Sequence, residues 1–165
     1  MPYIWRAVRL ARWEIDAFPW IKPNDIQADA LTDLQTQSNI LSIWKIEDDL
    51  SNLENIITAI AATRLKPDVV QYIMVDIQTI LDAGFTLKET PGDTPFTSMA
   101  HYHVDIVELS GQRLVNLARL LQSSPFEKAR RTESQVRNLL WQAYENRLLN
   151  TEKMKIELKT KLGIT

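Results

Sequence analysis

The stretch from residue 39 to 76 limits the folds open to this chain more than any other. In NILSIWKIE, residues 39 to 47, Ile40, Trp44 and Ile46 share one face of an extended segment while Leu41 and Ile43 fill the other. Apolar groups on both faces mark an interior strand covered on both sides. VVQYIMVD, residues 69 to 76, has the same two-sided character. Between them, Ser51-Asn-Leu-Glu54 has the spacing of a capping box, and Leu53, Ile56, Ile57, Ile60 and Ala61 make one helical stripe that Lys66-Pro67 brings to a stop. Strand, helix and strand in this order predict a crossover unit with parallel strands.

The remaining strand signals are fewer. Asp76 is placed to cap a short helix through Ile80 and Leu81 that ends at Gly84. FTLKET, residues 85 to 90, then reads as a strand closed by the Pro91-Gly92 turn, and residues 101 to 107 are a fourth candidate. Residues 4 to 15 set Ile4, Ala7, Val8, Ala11 and Ile15 at helical spacing, which predicts a helix, with an edge strand as the competing reading. Trp5, Trp13 and Trp20 fall close together there, so this end of the chain is expected against the core. Asn24-Asp-Ile-Gln27 is a second capping box, predicting a helix to about Leu34 with Asp29 and Asp33 on a solvated face.

Beyond residue 108 the pattern is helical. Leu109 and Ser110 read as a staple residue and an N-cap for a helix carrying Leu114, Leu117, Ala118 and Leu121. Ser124, Pro125 and Glu127 form a third capping box, and Thr132 to Gln135 offer a second start for the same helix, whose apolar face holds Val136, Leu139, Leu140, Ala143 and Leu148. Asn150-Thr151 breaks it before a last basic helix with Met154, Leu158 and Leu162. The expected fold is therefore α+β over a single domain, residues 1 to 165. It has a small mixed sheet of about three or four strands with at least one parallel βαβ crossover, covered by helices, and residues 125 to 165 form a C-terminal helical arm.

Composition excludes several chemistries. With no cysteine, the chain has no disulfide, thiolate zinc site, iron–sulfur cluster or cysteine nucleophile. Its four glycines, at 84, 92, 111 and 163, are too scattered for a dinucleotide fingerprint or a phosphate-binding Walker loop. No apolar window has the length of a membrane span, and Arg6, Arg9 and Arg12 interrupt the start, so neither a span nor a secretory leader is expected and a cytoplasmic setting is the default. The net charge of −2 names no partner. The C-terminal region is basic, however: Lys128, Arg130, Arg131, Arg137, Arg147, Lys153, Lys155, Lys159 and Lys161 stand against Glu127, Glu133, Glu145, Glu152 and Glu157.

The clearest chemical motif is HYHVD, residues 101 to 105, which holds both histidines. In a strand, His101, His103 and Asp105 share one face, a ligand set suited to a divalent metal and an activated water. No further histidine is left, so Asp76, Asp93 or Glu108 would have to complete such a site. The competing role is structural, with the imidazoles anchoring the Pro91–Pro95 turn through its backbone. Glu47-Asp48-Asp49, just before a helix start, is favoured there by the helix dipole alone.

The shortage of nucleophilic and ionisable candidates, beside a surplus of amphipathic helix and tryptophan, makes a non-catalytic protein–protein interaction module the first expectation. Arg137, Trp141, Tyr144 and Leu148 are its contact residues, toward a protein partner or a second copy. A small metal-dependent hydrolase centred on His101, His103 and Asp105 is the alternative. Nucleic-acid binding by the basic C-terminal helices is a further one.

Overall fold

The protein is described by a computed structural model covering residues 2–14, 18–22, 25–123 and 127–164. Its strands are β1 (Tyr3–Ala7), β2 (Leu41–Ile46), β3 (Val70–Asp76), β4 (Thr86–Glu89), β5 (His103–Val107) and β6 (Glu127–Arg131). Its helices are α1 (Leu53–Ala61), α2 (Ile77–Asp82), α3 (Gly111–Ser123), α4 (Glu133–Glu145) and α5 (Ile156–Leu162), with 3-10 turns at Leu10–Trp13, Ala28–Asp33, Thr97–Tyr102 and Thr151–Lys153. The strands form one six-stranded sheet in the order β4-β5-β2-β1-β3-β6, and every neighbouring pair is antiparallel.

This corrects the expected small mixed sheet with a parallel crossover. β2 and β3 do run in the same direction, since each is antiparallel to β1, and α1 does connect them. They are not neighbours, because β1 lies between them. The helical spacing read over residues 4 to 15 hid this strand. Ile4 enters the core on one face of the sheet and Trp5 the core on the other, as the two-residue period of a strand requires. β1 is thus central, neither a helix nor an edge strand.

The sheet is covered on both faces. On one, Trp5, Ile46, Tyr72 and Met74 pack beneath α1, α4 and α5, which contribute Ile56, Ile57, Val136, Leu140, Leu158 and Leu162. On the other, Ile4, Leu41, Ile43, Ile73, Val104 and Ile106 pack against α3 through Leu117, Ala118 and Leu121, and against Trp13, Ala30 and Leu34 of the 3-10 turns. Each fully buried aliphatic or aromatic side chain contributes roughly 1.5–3 kcal/mol, so neither core is marginal.

The C-terminal segment is not an arm. Residues 127–131, expected within a helix, pair with β3 as an edge strand, and Val136, Leu140, Ala143, Met154 and Leu158 belong to the same core as Trp5. The capping box that forms here is the later one: Thr132 accepts from the Gln135 amide and Gln135 reaches back to the Thr132 amide. The boxes read at Asn24 and at Ser124 involve residues outside the described ones; Gln27 instead donates to the carbonyls of Glu14 and Ala11. At α1 the N-cap is Asn52, one residue after Ser51, and its side chain accepts from the Glu47 amide and donates to the Lys45 carbonyl. Asp76 does cap α2, accepting from the Gln78 amide. Trp5 and Trp13 are buried as expected, whereas Trp20 is 72% exposed. Among the described residues no helix is long and apolar enough to cross a membrane.

Candidate functional site

β1 and β2 pair only from Tyr3↔Ile46 to Trp5↔Trp44, although both strands continue. Past that point β1 follows β3 through Arg6↔Ile73 and Ala7↔Tyr72, while β2 follows β5 through Leu41↔Ile106 and Ser42↔Asp105. The sheet therefore opens between its two central strands, and a cleft of about 650 Å³ lies there, lined by Arg6, Gln35, Gln37, Ser38, Ser42 and Asp105 among others.

Arg6 spans the opening. Its Nη1 donates to the Ser42 carbonyl (2.6 Å), and its Nε and Nη2 donate to the Asp33 carbonyl (3.2 and 2.9 Å). The Ser42 carbonyl that pairing with β1 would otherwise occupy is satisfied in this way. Burial lowers the Arg6 pKa, and the Asp33 charge works against that shift.

Across the opening, Asp105 is buried with both oxygens occupied: Ser42 Oγ donates to Oδ1 (3.0 Å) and Thr90 Oγ1 to Oδ2 (2.7 Å). His103 Nδ1 lies 2.6 Å from the Thr90 carbonyl oxygen. A carbonyl can only accept, so Nδ1 carries the proton. Nε2 is left 4.0 Å from Asp105 Oδ1, outside hydrogen-bond range. The ring meets Trp44 edge-on at 5.2 Å, and Gly92 is pressed against both, since a Cβ there would lie 3.0 Å from His103 Cβ and 3.1 Å from Trp44 Cη2. His103 thus ties β5 to the end of β4 just before Pro91-Gly92, the anchoring role weighed against metal binding.

Of the expected ligand set, His103 and Asp105 share a face of β5, but His101 does not join them. It lies in the 3-10 turn before the strand, exposed and stacked on Tyr102 at 4.1 Å. Asp76 is the α2 cap and Asp93 holds Lys153 at 2.8 Å. Among the described residues no three His, Cys, Asp or Glu side chains are grouped to hold a metal ion. Glu47 takes a hydrogen bond from the Tyr102 hydroxyl, which pushes the phenol pKa up.

The expected contact residues lie on α4 and just past it. The inner side of α4 is fixed by Val136, Leu140 and Ala143. Trp141 is 39% exposed with its ring 5.6 Å from that of Tyr144, and Leu148 is 45% exposed after a turn in which its amide donates to the Ala143 carbonyl. Arg137 is partly committed to the protein itself: Nη1 donates to the Lys161 carbonyl near the end of α5 (2.7 Å) and Nη2 lies 3.4 Å from Glu133. Other C-terminal cations are likewise engaged. Arg131 pairs with Glu54 at 2.6 Å, which raises its pKa, and Lys153 pairs with Asp93.

Sequence reasoning missed Asp33. Its Oδ2 accepts from the Arg9 amide (2.8 Å) and Trp13 Nε1 (2.9 Å), its Oδ1 from Arg12 Nη1 (2.8 Å), and its side chain is only 7% exposed. Its expected solvated face belongs to a helix running from the Asn24–Gln27 box to about Leu34. A 3-10 turn at Ala28–Asp33 forms instead and points Asp33 inward, toward Arg9, Arg12 and Trp13. In comparison with known proteins, the chain matches no family model, no curated protein and no solved structure.

Proposed function

We propose that this protein acts by contact and not by catalysis, through the outer face of α4, and that the face receives a second copy of itself. The observation that carries the reading is the half-exposed Trp141, held beside Tyr144 on a helix whose other side is locked into the core, with Leu148 exposed just past that helix. A large aromatic presented by a rigid element loses little conformational freedom on binding, and such residues dominate interface energies.

Charge favours a second copy over an unlike partner. Arg137 and Glu145 stand four residues before and after Trp141, so both flank it on the same helical face. In an antiparallel two-fold pairing through Trp141, Arg137 of each copy meets Glu145 of the other. Exposed ion pairs of this kind add little affinity but fix orientation.

Sedimentation velocity over about 1 to 300 μM tests this, a range that spans the affinities expected of a small interface. The expected result is reversible dimerisation that Trp141→Ser weakens about tenfold or more and Glu145→Arg weakens less. A monomer throughout that range, or a dimer indifferent to Trp141→Ser, overturns the reading.

A further inference from the structure

A second cleft, about 430 Å³, adjoins the opening between β1 and β2 and shares Arg6 and Gln35 with it. Arg6, Arg9, Arg12 and Arg64 all line it, and Asp33 is the only carboxylate among its lining residues. That carboxylate is already shared among the Arg9 amide, Trp13 and Arg12. Its charge also acts on Arg6, but neither Arg6 nor Arg64 pairs with it directly. Arg6 donates to the uncharged carbonyls of Asp33 and Ser42, and Arg64 Nη1 donates to the Val69 carbonyl (3.1 Å). The Arg9 guanidinium makes no hydrogen bond or ion pair among the described residues.

Four guanidiniums line the cleft against the Asp33 carboxylate, with Asp68 acting on Arg64 from outside the lining, which leaves a concave surface with excess positive charge. Guanidinium groups match the oxygens of phosphate in paired hydrogen bonds. The adjoining cleft is different in kind: Gln35, Thr36, Gln37, Ser38, Ser42 and Asp105 offer amides, hydroxyls and one carboxylate, and neither cleft has an aromatic wall on which a base could stack.

From this juxtaposition we propose that the opening beside β1 binds a phosphate monoester of a small hydroxyl-rich molecule, of the sugar phosphate class. The phosphate sits among Arg6, Arg9, Arg12 and Arg64, and the hydroxyls lie toward Ser42 and Asp105. Together the two clefts have the size of ordinary small-ligand sites. The site is remote in sequence from the α4 face, and its occupancy does not depend on self-association.

Titration calorimetry of the full chain at low ionic strength tests the proposal, with inorganic phosphate, a hexose monophosphate, the unphosphorylated hexose, adenosine monophosphate and a short single-stranded RNA as probes. The hexose monophosphate is expected to bind about tenfold or more tightly than inorganic phosphate, and the bare hexose not measurably. Arg9→Gln, at a residue whose guanidinium makes no bond among the described residues, is expected to cut hexose monophosphate affinity about three- to tenfold while leaving the thermal midpoint of the free protein in place. No binding of either phosphate beyond a chloride control of equal ionic strength overturns the proposal. So does tighter binding of adenosine monophosphate or of RNA than of the hexose monophosphate, since each assigns the arginines to another ligand.

Discussion

The two faces of the sheet are closed by different physics. Beneath α1, α4 and α5 the buried contacts are apolar side chains in close packing, and the charged contacts of these helices, such as Arg131–Glu54 and Arg137 to the Lys161 carbonyl, lie at the exposed rim. At the start of the other face, the two 3-10 turns at Leu10–Trp13 and Ala28–Asp33 are fastened to each other and to β1 by arginines and an indole converging on one aspartate. An apolar layer tolerates change in proportion to the volume removed, whereas a buried polar knot fails when one member goes. This contrast places rigidity where arginine side chains must be held apart and ready for an anion.

The largest expected effect comes from breaking the knot. Asp33→Ala removes the carboxylate that Arg12, Trp13 Nε1 and the Arg9 amide share, leaving Arg12 only its Thr32 hydroxyl partner, and a loss of about 3–5 kcal/mol in urea unfolding is expected. A loss under about 1 kcal/mol would mean that water replaces the carboxylate freely and that the two faces do not differ in this way. The apolar face should respond next. Leu140→Ala, at a fully buried position, is expected to cost about 2–4 kcal/mol, set by the cavity left behind and little changed by salt.

Smaller effects sharpen the comparison. Gly92→Ala pushes a methyl group against His103 and Trp44, and about 1–3 kcal/mol is expected by chemical denaturation, with the Trp44 fluorescence shifted. Thr132→Ala removes half of the α4 capping box for about 1 kcal/mol. The smallest response concerns pH. Lys45 holds the Glu89 carboxyl below its ordinary range, so the contribution of that pair is present above about pH 4.3 and is lost as pH falls through the lower folded value. Glu89 is exposed, so Glu89→Gln should change the acid limb of the stability profile only slightly.

What the sequence made legible follows from whether one segment carried its own signal. β2, α1 and β3 were readable because two-sided apolar runs and a single helical stripe fall within a few residues each. β1 was not, because its five residues sit inside a longer stretch whose alanines and valine mimic helical spacing. The direction of β2 and β3 could be inferred locally, but the strand inserted between them could not. β6 has few apolar residues of its own; the open edge of β3 specifies it. The site divides the same way. The shared strand face of His103 and Asp105 was visible, whereas Arg6, Arg9 and Arg12 stood out only as interruptions of an apolar start. The convergence of Asp33 and Arg64 on those arginines arises only when distant turns dock, and His101 left the metal set because the chain turns before β5 begins.

The middle position of β1 has a consequence for how the molecule is assembled. This strand is synthesised before either of its neighbours, and it alone joins the β4-β5-β2 half of the sheet to the β3-β6 half. β2 is complete by residue 46 but β3 only by residue 76, so the two halves of the sheet cannot be joined through β1 before then, and Ile4 and Trp5 gain their full cover only at that point.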